Sequence, residues 1–299
     1  MKILITGKNG QVGHALVRSL AGLGEIIALD RAALDLCQTD TLRQVVRQIK
    51  PTLIINAAAY TAVDQAEQDE AAAMRINGQA PGVLAEEASR LGAALIHYST
   101  DYVFDGSNMV PWTEADMPAP LSVYGRSKLA GEQAITAVGG PHLILRTSWV
   151  YGAYGKNFYL TMLKLAETRP ELRIVADQHG APTWSRTIAD ATAHVVRQVG
   201  QAEQMAALSG LYHLSAGGHT TWFGFAQKIF AHAAVRHKPQ LHAITTADYP
   251  LPAQRPAYSV LNTTKFQQTF CRLPQWDDAL AQCQQAHWAQ PISTHPGTT

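Results

Sequence analysis

Tyr124 and Lys128 lie four apart in the stretch Tyr124-Gly125-Arg126-Ser127-Lys128. On a helix that spacing puts both side chains on one face. A free phenol titrates near 10, too high for easy proton transfer at neutral pH, and a nearby ammonium favours the phenolate and lowers that value. Tyr124 is then suited to give a proton to a developing alkoxide and recover it later. Upstream, Ser99-Thr100-Asp101-Tyr102 offers hydroxyls that can orient a substrate carbonyl, Thr100 first and Ser99 second. Further upstream, Gly7-Lys8-Asn9-Gly10-Gln11-Val12-Gly13 is a GxxGxxG loop. Its glycines allow a tight turn and close approach of a pyrophosphate, and the helix it opens presents free amides and the positive end of its dipole. Each signal alone has an ordinary reading: a chance helical pair, a loop cap, a plain turn. The three in this order point to a dinucleotide-dependent reaction at a carbonyl.

These groups must be positioned by a framework, and the N-terminal half supplies one. Short apolar runs at 3–5, 26–29, 53–55, 94–96 and 143–145 read as strands. They alternate with helical patterns at 12–23, 41–49, 70–91 (with Pro81 and Gly82 as a break or kink) and 124–138. This alternation predicts an α/β fold of Rossmann type, a doubly wound parallel sheet with helices on both faces. Asp30 closes the second strand, where a carboxylate accepts from the adenosine ribose hydroxyls, while the adjacent Arg31 suits a 2′-phosphate, so NADH and NADPH both stay open. Asn56-Ala57-Ala58-Ala59-Tyr60-Thr61 ends the third strand with small residues that leave room for a flat cofactor.

Beyond Trp149 the pattern loosens into helices at 158–167, 187–199 and 222–234 and strands at 174–175 and 211–214. Residues 1–150 with about 181–210 are expected to form the NAD(P)-binding domain, and about 151–180 with 211–299 a smaller mixed α/β substrate-binding region. The tail after Pro291 reads as mobile. A net charge of +1, without charge runs, gives no basis for a nucleic-acid partner. No apolar stretch reaches membrane-spanning length, the short run before Gly7 is not a signal segment, and the cytoplasm is the expected compartment. Three cysteines without a CxxC pair fit a reducing environment and no disulfide framework.

The chain resembles the extended short-chain dehydrogenase/reductase superfamily and, within it, the dTDP-4-dehydrorhamnose reductase family, from Met1 to about Phe270. The resemblance rests on GKNGQVG at Gly7, INAAAYTAVDQAE from Ile55, HYSTDYVFDG from His97, PLSVYGRSKLAGE from Pro120, LRTSWVYG from Leu145, DQHGAPT from Asp177 and RPAYSVLNTTKF from Arg255. It implies reduction of the C4 keto group of dTDP-4-dehydro-L-rhamnose to dTDP-L-rhamnose. By the same resemblance, Gly10, Gln11 and Val12 contact the cofactor pyrophosphate, Asp30 the ribose, and Asp35 and Leu36 the adenine side. Ala59, Tyr60, Thr61 and Tyr98 line the cofactor slot. Thr100 and Asp101 touch the sugar, Tyr124 gives the proton, and Lys128 assists it and bonds the nicotinamide ribose. Trp149 packs on the sugar and Arg255 pairs with the nucleotide diphosphate.

Some family members are described with magnesium held by acidic side chains at a dimer contact, so the resemblance carries magnesium and a homodimer with it. Ala15 and Arg186 stand where those acids are sought, which argues against a metal bridge, and no residue set reads as a metal site. Cys271, Cys283, His287 and His295 are too sparse for zinc. Tyr102 follows Thr100-Asp101 where a related dehydratase needs Glu, which favours simple reduction. Another sugar-nucleotide 4-ketoreductase, an epimerase that retains its NAD, and a non-catalytic NADP-binding regulatory subunit stay open as alternatives.

Overall fold

The computed structural model describes residues 1–199, 202–233, 235 and 237–288. The expected mobile tail, His295 and the last expected helical residue Ala234 lie outside these. The first half runs β1 (Lys2–Thr6), α1 (Gln11–Ser19), β2 (Glu25–Leu29), α2 (Thr39–Ile49), β3 (Leu53–Asn56), α3 (Val63–Ala66), α4 (Glu70–Ala73), a π-helical turn (Met74–Gln79), α5 (Ala80–Arg90), β4 (Ala94–Thr100), α6 (Val123–Val138) and β5 (His142–Thr147). The second half runs β6 (Val150–Tyr151), α7 (Phe158–Ala166), β7 (Glu171–Val175), β8 (His179–Gly180), β9 (Thr183–Trp184), α8 (Ser185–Val199), α9 (Ala202–Ala207), β10 (Gly210–His213), β11 (Thr220–Thr221), α10 (Trp222–His232), β12 (Gln240–Ile244), α11 (Thr264–Thr269) and α12 (Trp276–Trp288).

Six strands form one parallel sheet in the order β10-β5-β4-β3-β1-β2. Successive side chains on a strand face opposite ways, so the apolar runs feed two cores. Ile3, Ile5, Ile55, Ile96 and Leu145 join α1 and α8 on one face, while Leu4, Ile54, Leu95 and Ile144 join α2 and α5 on the other. The order changes direction between β1 and β3, which opens a crevice at the carboxyl ends of the strands. The smaller lobe closes over that end. Its parallel pair β7–β12 and helices α7, α10 and α12 enclose a separate core around Tyr151, Tyr159, Phe225, Ile229 and Leu280. Among the described residues no helix is long and apolar enough to cross a membrane.

Two expectations change. The strand read at 211–214 does not belong to the substrate region: β10 pairs with β5 and completes the main sheet, so the region assigned from 211 onward begins later. The stretch 70–91 is not one helix broken at Pro81. Pro81 lacks an N–H and its ring crowds the carbonyl four residues back, that of Asn77. The widened π-turn ends just before it and absorbs both effects, so the chain runs on to Arg90 without a break.

The Asn77 carbonyl faces α6, and there the helices meet through a glycine: a Cβ on Gly131 would overlap that oxygen. Gly131→Ala is expected to cost at least about 1–3 kcal/mol, the range for inserting atoms into a packed interior. Urea denaturation checks this, and a loss of only a few tenths would show that the two helices part freely.

Candidate active site

The glycine loop leaves β1 with Gly7 at φ 71°, in the left-handed region, and Gly7 packs so closely on Ala58 that a side chain there would clash with its backbone. The Gly10 amide donates to the Gly7 carbonyl at 2.9 Å, tightening the turn. Gly13 lies in the first turn of α1, where a Cβ would overlap the Gly7 carbonyl oxygen. No side chain caps α1, so its first amides stay available to an anion. The loop borders a cleft of ≈ 540 Å³, within the range of small-molecule sites.

All the expected cofactor contacts line this cleft except one: Gly7, Gly10, Gln11, Val12, Asp30, Arg31, Asp35, Leu36, Ala59, Tyr60, Thr61, Tyr98 and Lys128 do, and Gly13 lies beneath the loop. Asp30 is held by Lys8 Nζ at 3.2 Å and by the Ala33 amide at 3.1 Å, which lowers its pKa, the backbone bond first. Arg31 lies 3.6 Å from Asp35. A carboxylate and a guanidinium thus share the adenosine end. The groups fit a dinucleotide: an uncapped helix end for the pyrophosphate, an acid for the ribose, and apolar walls.

Sequence reasoning missed Gly155 and Lys156, which reach the same cleft from the loop after β6. It also missed Asn77. Its side chain, 1% exposed, accepts from the Tyr60 amide at 2.8 Å and donates to the Tyr60 carbonyl and to Ser127 Oγ, each at 3.0 Å. This clamp ties the loop after β3 to α6. A local pattern would flag neither, because both depend on chain crossings.

Ser122 caps α6, accepting from the Gly125 amide, and the next turns carry Tyr124 and Lys128 into the cleft. Their charges differ from the sequence expectation. Lys128, 2% exposed, donates from Nζ to the Tyr98 carbonyl at 2.6 Å and lies 3.3 Å from His97 Nε2. Burial pushes Lys128 down to about 8, with Glu132 pulling upward. His97, buried beside that ammonium, is held well below its usual range and stays neutral. Tyr124 is not lowered. Burial pushes it up to about 12, against the pull of the Thr100 hydroxyl. The ammonium that was to lower it is drawn onto β4, and desolvation dominates.

Thr100, Asp101, Trp149 and Arg255, the expected sugar contacts besides Tyr124, are not among the residues that line this cleft. Thr100 Oγ1 donates to Asp101 Oδ1 at 3.1 Å and accepts from the Tyr102 amide at 3.2 Å. Burial raises Asp101 to about 6, opposed by hydrogen bonds from Ser259, Ser148 and Thr100. Trp149, with φ 44°, stacks on Trp222 with ring centroids 3.6 Å apart. Arg255 makes a two-pronged pair with Asp64, at 3.0 and 2.7 Å, and this joins the proline-rich segment to α3. Any diphosphate at Arg255 must share it with that carboxylate.

No group of three or more His, Cys, Asp or Glu able to hold a metal occurs among the described residues. Of the two positions where the resemblance led acidic ligands to be sought, Ala15 offers no ligand and Arg186 lies 3.5 Å from Asp190. These residues do not fit a divalent cation.

A family model described as the RmlD substrate binding domain matches residues 1–288. A dTDP-4-dehydrorhamnose reductase of Burkholderia thailandensis is 49% identical over 291 residues, covering 95% of this chain and 98% of that protein. One from Escherichia coli K12 is 48% identical over 285 residues, covering 92% and 94%. The crystal structure of dTDP-4-dehydrorhamnose reductase from Bacillus anthracis in complex with NADP superposes with a TM-score of 0.88 at 36% identity, over 94% of this chain and 98% of that one.

Gly13→Ala should weaken NADPH binding at least about tenfold, because the turn must open to admit a methyl group. Fluorescence titration of the bound nicotinamide measures this, and unchanged affinity would remove the loop from the cofactor site.

Proposed function

From the premise that this chain belongs to the RmlD substrate-binding-domain family, that of the dTDP-4-dehydrorhamnose reductases, we propose that it is a cytoplasmic NAD(P)H-dependent oxidoreductase. It reduces the C4 keto group of dTDP-4-dehydro-L-rhamnose to dTDP-L-rhamnose, the last step of dTDP-rhamnose biosynthesis. The observation that carries this reading is the convergence of Tyr124, Lys128 and the glycine loop on one cleft at the strand ends. The reduced nicotinamide, when bound, supplies the hydride.

The residues of the chain do the rest. The loop amides and Asp30 hold the dinucleotide, and the small residues Ala57 to Ala59 leave its ring a flat slot. Tyr124, pushed up to about 12, is fully protonated at neutral pH, the form an acid needs at the start of the reaction. As charge develops on the C4 oxygen, Tyr124 is the donor of the proton. Lys128, at about 8, is still mostly charged near pH 7 and stabilises the phenolate left behind through the cofactor ribose, which it is expected to bond. Trp149 and Trp222 form an apolar wall for the sugar, and Arg255 reaches toward the nucleotide diphosphate.

Mixed with dTDP-4-dehydro-L-rhamnose, the purified protein is expected to consume NADPH or NADH, followed by absorbance, and to yield dTDP-L-rhamnose. The two rates rank the cofactors. No consumption with either, while the cofactor still binds, would overturn the reading and favour a different sugar or a binding module. Tyr124→Phe should lower kcat by about two orders of magnitude or more and leave cofactor affinity nearly unchanged. Near-normal turnover would remove Tyr124 from the acid role.

A further inference from the structure

Asp101 is a carboxylate with 2% exposure, and among the described residues no positive charge contributes to its stabilisation. A buried carboxylate without a cation needs hydrogen-bond donors. Three hydroxyls serve. Ser148 Oγ and Ser259 Oγ donate to Oδ2 at 2.9 and 2.6 Å, and Thr100 Oγ1 donates to Oδ1 at 3.1 Å. Ser148 and Ser259 are each 1% exposed. Ser148 follows β5, and Ser259 arrives from a segment 158 residues beyond Asp101 in the chain. That segment is fixed beside the site because the Ser259 amide donates to the His179 carbonyl at 2.9 Å. Both serines sit in stretches that the sequence singled out, LRTSWVYG and RPAYSVLNTTKF, and the reductase reading gives neither a task.

A hydroxyl has one proton to give. Thr100 directs its proton at Asp101 and its oxygen accepts from the Tyr102 amide, so its hydroxyl is held from both sides. The orientation of the Thr100 hydroxyl therefore depends on Asp101, and Tyr124 stands beside it. The Ser259 hydroxyl has an alternative acceptor in the His179 carbonyl, but at 3.4 Å against 2.6 Å to the carboxylate. A hydrogen bond to a charged acceptor is also the stronger.

We propose that Ser148 and Ser259 are positioning residues of the reduction: by holding the Asp101 carboxylate from the far side they fix the orientation of the Thr100 hydroxyl beside Tyr124. This rests on the reductase reading for its consequence in turnover, but the wiring itself is a property of the folded chain. The titratable groups facing Asp101 are the phenols of Tyr102 and Tyr124, with the Arg255 guanidinium against Tyr102. Neither phenol ionises near neutral pH, so the carboxylate is the group in this cluster that changes charge there. Protonated Asp101 no longer draws the Thr100 proton, and that orientation is lost. Activity should therefore fall as pH drops through the Asp101 pKa, and removing a serine donor should move that fall upward.

The test uses Ser148→Ala, Ser259→Ala and Ser259→Thr, each with NADPH bound. In turnover, each alanine variant is expected to lower kcat at neutral pH about tenfold, with KM changing less, as for loss of a bond to a charged group. The acid limb of the kcat profile should move up by about one pH unit, as for loss of one donor to a carboxylate. Ser259→Thr, which keeps the hydroxyl, should restore both. Independently of any substrate, the carboxyl carbon resonance of Asp101, identified by its loss in Asp101→Asn, should titrate at higher pH in both alanine variants. An unmoved resonance, or a fall in kcat with no shift of the acid limb and no rescue by threonine, would overturn the proposal. If the wild-type chain does not turn over the keto sugar, the function reading fails, while the resonance still decides the wiring.

Discussion

The site depends on a lysine taken almost wholly out of water. An ammonium at that depth is costly unless its hydrogens are satisfied, and the partner available is the Tyr98 carbonyl on β4. That bond ties α6 to the sheet at one point and thereby fixes where Tyr124, one turn earlier, stands. The cost of burial appears in the lysine itself, lowered to about 8, and in the neutral His97 beside it. Glu132, one turn later on α6, would add a second buried charge, but Arg146 meets it in a two-pronged pair at 2.9 and 2.6 Å. The buried charges of this helix, Lys128 and Glu132, are thus met by β4 and β5 and not by solvent.

The opposite side of α6 is governed by close backbone approach. Pro81 forbids an ordinary helical bond to Asn77, the π-turn accommodates the loss, and Gly131 lets α6 come against the freed carbonyl. The same residue, through its side chain, grips both backbone groups of Tyr60. The loop that walls the cleft and the helix that carries Tyr124 are therefore held by one asparagine. Backbone irregularity inside a helix is here a means of placing a side chain at a junction.

The smaller lobe completes the site from a distance. Its own core is separate from those of the sheet, and it reaches the reacting end through Trp222 against Trp149, Arg255 against Asp64 and Ser259 against Asp101. Each joins residues far apart in the chain. The packing of the lobe therefore sets the surroundings of Asp101 and of Trp149 together.

The sequence by itself determined the local features. Short continuous apolar runs, alternating with helical patterns, specified the doubly wound sheet; the spacing of Gly7, Gly10 and Gly13 specified the glycine turn; four-residue spacing put Tyr124 and Lys128 on one face. These are properties of short stretches, set by sterics and periodicity. Only the tertiary structure decided that Lys128 faces the Tyr98 carbonyl, that Tyr124 is raised and not lowered, that residues 210–213 close the main sheet, and that Arg255 is already paired with Asp64. The physical reason is common to all four. Desolvation and partner choice are set by what the rest of the chain brings to a residue, and spacing along the chain carries no record of it.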